Sequence, residues 1–224
     1  MPKASIPFPD QLAFWNDWHC TRGATGEDHG HRESRRVFLD QFPVDTSGVV
    51  LDLGCGQGHD LAAFARGRHD VYGLDFSPDA VRQARQALQR EGVPNPEKRV
   101  LIHDLAQPLP YPDCFFDGAY SHLAIQYFDE LVTASICEEV GRVLRPGCHL
   151  VMTVKSVDDP YCGQGQELGP DTWLRKGRVR RFFSEGEIKE LLAAWTVLRV
   201  DQYPGYYASN EPSHFLRVVA RRPV

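Results

Sequence analysis

The central part of the chain alternates short apolar runs with longer stretches of amphipathic character. The runs are rich in β-branched and aromatic residues, which is typical of buried strands, and they fall at 49–51, 70–75, 99–103, 115–120 and 149–155. Helical patterns lie between them, at about 57–66, from 78 to about 91, and at 130–144. This alternation predicts a doubly wound parallel sheet of the α/β class, with helices on its faces.

The flanking segments have a different pattern. Ahead of the first strand, apolar spacing predicts two helices, Asp10 to Cys20 and from Glu27 or His31 to Gln41. Ser184, with Glu187 three residues later, predicts a capped helix, and a terminal strand pair follows it. We expect one domain over 1–224. It has an N-terminal helical cap at 1–47, a core at 48–155, a covering insertion at 156–183, and a C-terminal helix with two strands at 184–224.

Composition and charge narrow the functional classes. A chain of 224 residues with 42% hydrophobic and 25% charged residues has material for a sizeable core. A formal charge of −5 gives no basic footprint for nucleic acid, and no apolar run is long enough to span a membrane. The six cysteines show no C-x-x-C spacing, and the N-terminus has no signal-like region. We expect a cytoplasmic protein without metal, membrane or nucleic-acid partner; its oligomeric state is left open.

The segment Gly48 to Gly58 carries the strongest chemical signal. A buried strand ends at Asp52, and Gly54, Gly56 and Gly58 follow at every second position. Glycine permits positive φ and close backbone approach, and the helix after the loop presents unpaired N–H groups. The loop therefore predicts a nucleotide site, with backbone donors for an anionic group. Its spacing is G-x-G-x-G rather than the G-x-G-x-x-G of dinucleotide folds, which argues against an NAD-dependent oxidoreductase.

A second strand ends on an acid, Asp75, seventeen residues after Gly58 (75 − 58 = 17). That distance accommodates a helix and a return, and an acid at this place in a βαβ unit faces ribose hydroxyls. Together, L-D-L-G-C-G-Q-G and G-L-D-F-S resemble the class I S-adenosylmethionine-dependent methyltransferase family. The alternatives are another nucleotide, or a tight turn that holds no ligand.

The resemblance implies a Rossmann-like seven-stranded sheet, mostly parallel, with an antiparallel C-terminal strand. It implies S-adenosyl-L-methionine as cofactor and S-adenosyl-L-homocysteine as product. Asp75 would bind the ribose, Phe76 would lie against the adenine, and Asp104 would meet the adenine amino group unless it caps the next turn instead. The full set of expected cofactor contacts is Asp52, Gly54, Cys55, Gly56, Asp75, Phe76, Asp104, Leu105 and Ser121.

His122 follows the fourth strand and is the candidate catalytic residue. Methyl transfer from a sulfonium is an in-line displacement, so a general base is needed only for a protonated acceptor. Histidine titrates near neutral pH and fits that role, although it could equally pack or bond locally. No N/D-P-P-Y sequence follows this strand, which disfavours methylation of adenine or glutamine nitrogen.

The acceptor is predicted to be a small molecule covered by the insertion. The order D-P-Y-x-G-x-G-x-E-L followed by R-x-F-F-S is loosely similar to tellurite-resistance and thiopurine-type methyltransferases. Candidate acceptor contacts are Trp18, Tyr127, Tyr161, Trp173 and Arg181. Plain packing remains the alternative for the Trp15/Trp18 pair.

Two groups of charged or titratable residues have competing interpretations. Lys155, Arg180 and Arg181 suit an anionic acceptor, but the arginines between 175 and 181 equally suit a solvated loop. The histidines at 19, 29 and 31 lack the spacing of metal ligands, and we expect them to be solvated. The rival functions are a protein or nucleic-acid methyltransferase and a non-catalytic S-adenosylmethionine-binding protein.

Overall fold

The computed structural model describes residues 11–21, 29–43, 46–207 and 211–224. The strands are β1 (Val49–Leu53), β2 (Asp70–Asp75), β3 (Val100–Ile102), β4 (Phe116–His122), β5 (Leu144–Lys155), β6 (Gln166–Gly169), β7 (Thr172–Arg175), β8 (Arg178–Arg181), β9 (Thr196–Tyr207) and β10 (Glu211–Arg221). The helices are α1 (Leu12–Thr21), α2 (His29–Leu39), α3 (His59–Arg66), α4 (Pro78–Arg90), α5 (Pro96–Arg99), α6 (Glu130–Val143) and α7 (Glu185–Leu191).

Seven strands form the main sheet, in the order β3-β2-β1-β4-β5-β10-β9. Strands β1 to β5 are parallel, and β10 runs antiparallel to both β5 and β9. The predicted fold is therefore confirmed, including the antiparallel C-terminal strand. The order reverses between β1 and β4, and this reversal opens a crevice at the carboxyl ends of these strands, where open α/β sheets bind ligands.

Sequence signals explain how the helices begin and which faces they bury. Ser77 caps α4, since its Oγ accepts a hydrogen bond from Ala80 N at 3.3 Å, and Pro78 occupies the first turn. Ala84 and Leu88 then face the core on the same side of the helix. The capping box predicted at the start of α7 is present, with the Ser184 and Glu187 side chains each bonded to the other's backbone amide.

The core has two parts, one on each face of the main sheet. Alternate side chains of β1 separate them: Val50 belongs to a cluster with Phe38 and Phe64, whereas Leu51 and Leu53 belong to the other, larger cluster. This period of two directs consecutive residues of each central strand to opposite faces. Polar groups such as Asp52 and Asp75 lie at the strand ends.

The insertion at 156–183 contains a second sheet that sequence reasoning did not predict. Strands β6, β7 and β8 pair antiparallel in that order. The turn between β7 and β8 is Lys176-Gly177, with φ of +51° and +78°. Positive φ at both residues is typical of a two-residue hairpin turn. Gly177, at the second position of the turn, is therefore the residue from which a hairpin could have been predicted.

Most boundaries lie within a few residues of the predicted ones. The main exception is β5, which begins at Leu144, five residues before the predicted start of that strand at residue 149. Asp10 and Glu27, the predicted first residues of the two N-terminal helices, lie outside the described residues. In the parts of the chain that the structure describes, no helix is long and apolar enough to cross a membrane.

Candidate cofactor and acceptor site

The glycine loop between β1 and α3 adopts a conformation that only glycine tolerates well. Gly54, Gly56 and Gly58 have φ of +69°, +52° and +80°. A Cβ on Gly54 would lie 2.3 Å from the Cβ of Ala124, and one on Gly58 would lie 2.8 Å from the Cα of Ala84. The loop is thus held tightly between the segment after β4 and helix α4.

The loop amides are largely occupied within the protein. Gly54 N and Cys55 N both donate to Leu74 O, at 2.8 and 3.0 Å. Gly56 N donates to Asp75 Oδ2 at 2.9 Å, and Gly58 N donates to Cys55 O at 2.9 Å. Contrary to expectation, these four donors do not point to a ligand carboxylate in this conformation.

Asp75 joins the end of β2 to the glycine loop. Its Oδ2 accepts from Gly56 N, and its Oδ1 accepts from Ser77 N at 2.9 Å. The side chain is buried, and burial raises its pKa, an effect opposed by the Ser77 amide, by His19 and by the Gly56 amide. A carboxylate accepts about four hydrogen bonds, so the backbone amides do not use up its capacity to accept from a ligand hydroxyl. Half-buried Phe76 follows directly.

Three other predicted residues at the ends of β1 and β4 are buried. Asp52 is 3% exposed, and its pKa is raised well above the ordinary value by burial, with Asp60 and Asp75 adding to the effect. The thiol of Cys55 points at Gly73, where a Cβ would lie 2.9 Å from Sγ, so this side chain packs against β2. Ser121 Oγ donates to Leu53 O at 3.2 Å and ties β4 to β1.

The structure places the two predicted residues after β3 differently from each other. Asp104 is exposed, and its Oδ1 accepts from Ala106 N at 2.9 Å, which is the turn-capping contact considered as its alternative role. Leu105 is buried in the core, in the same cluster as Leu51. The contact of Asp104 with adenine stays a prediction.

Helix α1 covers the glycine loop. Asn16 Oδ1 accepts from Ser77 Oγ at 2.6 Å, and Gln83 Nε2 donates to His19 O at 2.8 Å. The His19 ring lies over Gly56, with Cε1 3.6 Å from where a Cβ would stand. Burial lowers the pKa of His19, opposed by Asp75 and Asp79. The expectation of a solvated His19 is wrong, and its place four residues after buried Trp15, on the same helix face, was the missed signal.

His122 lies beneath a second histidine, His31 of α2. The ring centroids are 3.9 Å apart, and neither ring nitrogen of His122 has a hydrogen-bond partner within the described ranges. Burial lowers the pKa of His122 well below its ordinary value, and His31 and Arg217 lower it further. His122 is therefore neutral at physiological pH.

His31 itself is held by the carboxylate of Asp60. Its Nε2 lies 2.9 Å from Asp60 Oδ2, and Arg35 lies 3.2 Å from the other oxygen of the same carboxylate. The expectation of a solvated His31 is therefore wrong, because a buried acid at the start of α3 holds it. The side chain of His29 lies outside the described residues. Across the residues that the structure describes, no group of histidine, cysteine and acid side chains is arranged to hold a metal ion.

The predicted acceptor residues are brought together in part. Trp15 packs against Tyr127, which follows β4, with centroids 4.7 Å apart. The guanidinium of Arg178 in β8 lies 5.0 Å from the Trp18 ring. Trp173 in β7 stands directly opposite Arg180 of β8. Helix α1, the small sheet and the segment after β4 therefore converge, and they include Trp18, Tyr127 and Trp173.

The two other predicted acceptor residues make different contacts. Tyr161 packs on Arg175, whose guanidinium carbon is 4.1 Å from the ring centroid. Arg181 lies on the other face of β8 from Arg178 and Arg180, with Nη2 3.4 Å from Glu187. It lines a cleft of about 710 Å³ beside α6 and α7, rather than the convergence at α1. Sequence reasoning missed this because it did not predict β8 as a strand with alternating faces.

The arginines of β8 are not solvated. Arg178, Arg180 and Arg181 are 7%, 5% and 7% exposed, and the expectation of a solvated loop there is wrong for all three. Pairing in the small sheet and contact with α1 and α7 account for this burial. Lys155, at the end of β5, is fully buried as well.

Known proteins are similar to part of this sequence. A family model described as a methyltransferase domain matches residues 50–147. O-methyltransferase cnsE of Penicillium expansum is 32% identical over 151 residues, which cover 66% of this chain and 52% of that protein. The chain thus spans about half the length of that relative.

Two solved structures share the fold. The Burkholderia thailandensis 1,6-didemethyltoxoflavin-N1-methyltransferase, solved with 1,6-didemethyltoxoflavin and S-adenosylhomocysteine, has a TM-score of 0.75 at 23% identity, covering 99% of this chain and 93% of its own. TehB from Haemophilus influenzae has a TM-score of 0.66 at 18% identity, and the alignment covers 93% of this chain and 67% of TehB. Residues 50–147 thus match a methyltransferase domain, and the whole chain has the fold of these two proteins, in agreement with the resemblance of its glycine-loop motif.

Proposed function

We propose that this protein binds S-adenosylmethionine at the carboxyl ends of β1, β2 and β4 and transfers its methyl group to a small-molecule acceptor. The observation that carries the proposal is Asp75. Its buried carboxylate is bonded to the amide of Gly56 and retains capacity to accept from a hydroxyl donor, at the place where a βαβ unit meets ribose. The relative of known structure that holds S-adenosylhomocysteine in this fold supports the choice of nucleoside.

The other cofactor contacts follow from where the strands end. Phe76 is available to the adenine face, and Asp104 to its amino group. The loop at Gly54 and Gly56, which a side chain would obstruct, borders the methionine portion. Buried Asp52 closes the base of this region, and its raised pKa favours a protonated carboxyl that donates as well as accepts.

The bound cofactor supplies a methyl group already activated on a sulfonium. The work left to the chain is to align the acceptor and exclude water, and α1 and the small sheet cover the crevice in a way suited to both. His122 is a neutral base near the end of β4. We assign it the acceptance of a proton from the acceptor, if the acceptor enters protonated.

Isotope transfer tests the proposal. The purified chain is incubated with trideuteromethyl-labelled S-adenosylmethionine and a panel of phenols, carboxylates, amines and thiols. The masses of the products are measured by mass spectrometry. We expect the label in one chemical class and a matching amount of S-adenosylhomocysteine, both sharply reduced by Asp75→Asn. Cofactor binding without transfer to any member of the panel would favour a non-catalytic binding protein instead.

A further inference from the structure

Three cations are buried where the small sheet meets the main one. Lys155, Arg178 and Arg180, here called the cationic subsite, are 0%, 7% and 5% exposed. Lys155 Nζ donates to Asp159 Oδ2 at 2.6 Å and to Ser213 Oγ at 2.7 Å. Burial and, to a smaller extent, Arg180 lower the pKa of Lys155 to about 8, although Asp159 and Glu211 oppose the shift. Lys155 is thus mainly protonated at neutral pH, and the subsite retains its positive charge.

Aromatic surfaces stand beside these cations. The guanidinium of Arg178 lies 5.0 Å from the ring of Trp18 and 5.6 Å from that of Phe14. Trp173 shares the face of the small sheet with Arg180, as its direct cross-strand neighbour. The indole Nε1 of Trp173 is buried and has no hydrogen-bond partner among the described residues. A buried donor of this kind indicates an acceptor atom supplied from outside the chain.

The cationic subsite adjoins the edge where methyl transfer is proposed. Lys155 ends β5, the parallel neighbour of β4, and its amide donates to Gln126 Oε1 at 2.9 Å. Gln126 lies in the turn Ile125–Tyr127 that follows β4, and β8 packs on that turn. Tyr127 in turn contacts Trp15 of α1. An acceptor that reaches from the end of β4 toward β8 therefore passes between aromatic rings and ends among cations.

We propose that the methyl acceptor is a planar aromatic anion, with its ring lying along Trp18 and Trp173 and its acid group held by the cationic subsite. This rests on the proposed function, since it places the acceptor of that reaction. A guanidinium binds a carboxylate or similar group through two parallel hydrogen bonds, and aromatic walls select flat molecules. Arg181, the adjacent residue of the same type, lies on the opposite face of β8 and takes no part.

The test compares acids with neutral molecules of the same shape. Dissociation constants are measured by calorimetry for 4-hydroxybenzoate, 2-naphthoate and indole-3-carboxylate, each beside its primary amide, with and without saturating S-adenosylhomocysteine. We expect the intact chain to bind at least one acid roughly tenfold more tightly than its amide, as a charge-assisted hydrogen bond implies. Arg180→Gln should abolish this preference, and Arg180→Lys should restore part of it.

Arg181→Gln is the matched control, and it should leave the preference for the acid unchanged. The proposal is overturned if acids and amides bind equally, if none of the acids binds, or if Arg181→Gln has the effect expected of Arg180→Gln. Failure to bind S-adenosylhomocysteine would instead count against the proposed function, because the acid and amide comparison is also made without it.

Discussion

At the scale of single residues, the loop glycines show why their identity matters. Gly54 and Gly92 both have positive φ, at +69° and +75°, but only Gly54 would place a Cβ against another atom. An L-residue in this conformation costs about 1–2 kcal/mol, and a forced contact adds about 1–3 kcal/mol. Replacing Gly92 by alanine therefore measures backbone strain alone, whereas replacing Gly54 adds the contact with Ala124.

We expect Gly54→Ala to lower the free energy of unfolding by about 1–3 kcal/mol more than Gly92→Ala, and to weaken S-adenosylhomocysteine binding as Ala124 is displaced. Urea unfolding gives the first quantity and calorimetry gives the second. Equal losses of stability in the two variants would show that Ala124 moves aside without an energetic penalty. The loop would then not be packed tightly against the segment after β4.

The depressed pKa of His122 predicts a stability change with pH. In the unfolded chain a histidine titrates near about 6.5, whereas burial lowers the pKa of His122 well below that in the folded protein. Below pH 6.5 the unfolded chain therefore binds more protons, and stability falls with decreasing pH by up to about 1.4 kcal/mol per unit from this group.

His122→Asn removes the titrating group, so this variant should lose less stability than the original chain between pH 7.5 and 5. Urea unfolding at a series of pH values measures the difference. If the two profiles run parallel, the ring is hydrated in the folded protein, and its assignment as a neutral buried base is wrong.

At the scale of elements, α1 is joined to the small sheet as well as to α4. Gln11, just before α1, donates from Nε2 to Gly177 O at 3.2 Å and accepts from Val179 N at 3.0 Å. The same helix contacts the start of α4 through Asn16 and lies over the glycine loop through His19. Helix α1 thus connects the cofactor side of the crevice to the acceptor side.

Gln11→Ala should loosen this connection without unfolding the protein. Loss of two hydrogen bonds, each contributing about 0.5–1.5 kcal/mol, would raise the hydrogen-exchange rate of α1 amides roughly tenfold or more. Exchange measured by mass spectrometry checks this, with Gln86→Ala on the exposed side of α4 as control. Unchanged exchange in α1 would mean that its aromatic contacts alone hold the helix in place.

At the scale of the whole molecule, sequence patterns predicted what depends on local periodicity. The parallel strands, the cap at Ser77 and the acid at Asp75 follow from residues close together in the chain, and the structure agrees with each. The partial burial of His19 and the separation of Arg180 from Arg181 depend on segments distant in sequence. Both features arise because α1 packs on α4 and β8 pairs with β7, and no local sequence pattern predicts these contacts.

The central claim is that this chain binds S-adenosylmethionine through Asp75, and calorimetric titration with S-adenosylhomocysteine tests it most directly. We predict saturable binding by the original chain and binding weakened roughly tenfold or more by Asp75→Asn, since asparagine lacks the negative charge and one of the two accepting oxygens. Asp113→Asn, an exposed acid remote from the glycine loop, should bind as the original does. Absence of binding, or equal affinity in the Asp75→Asn variant, would contradict the account.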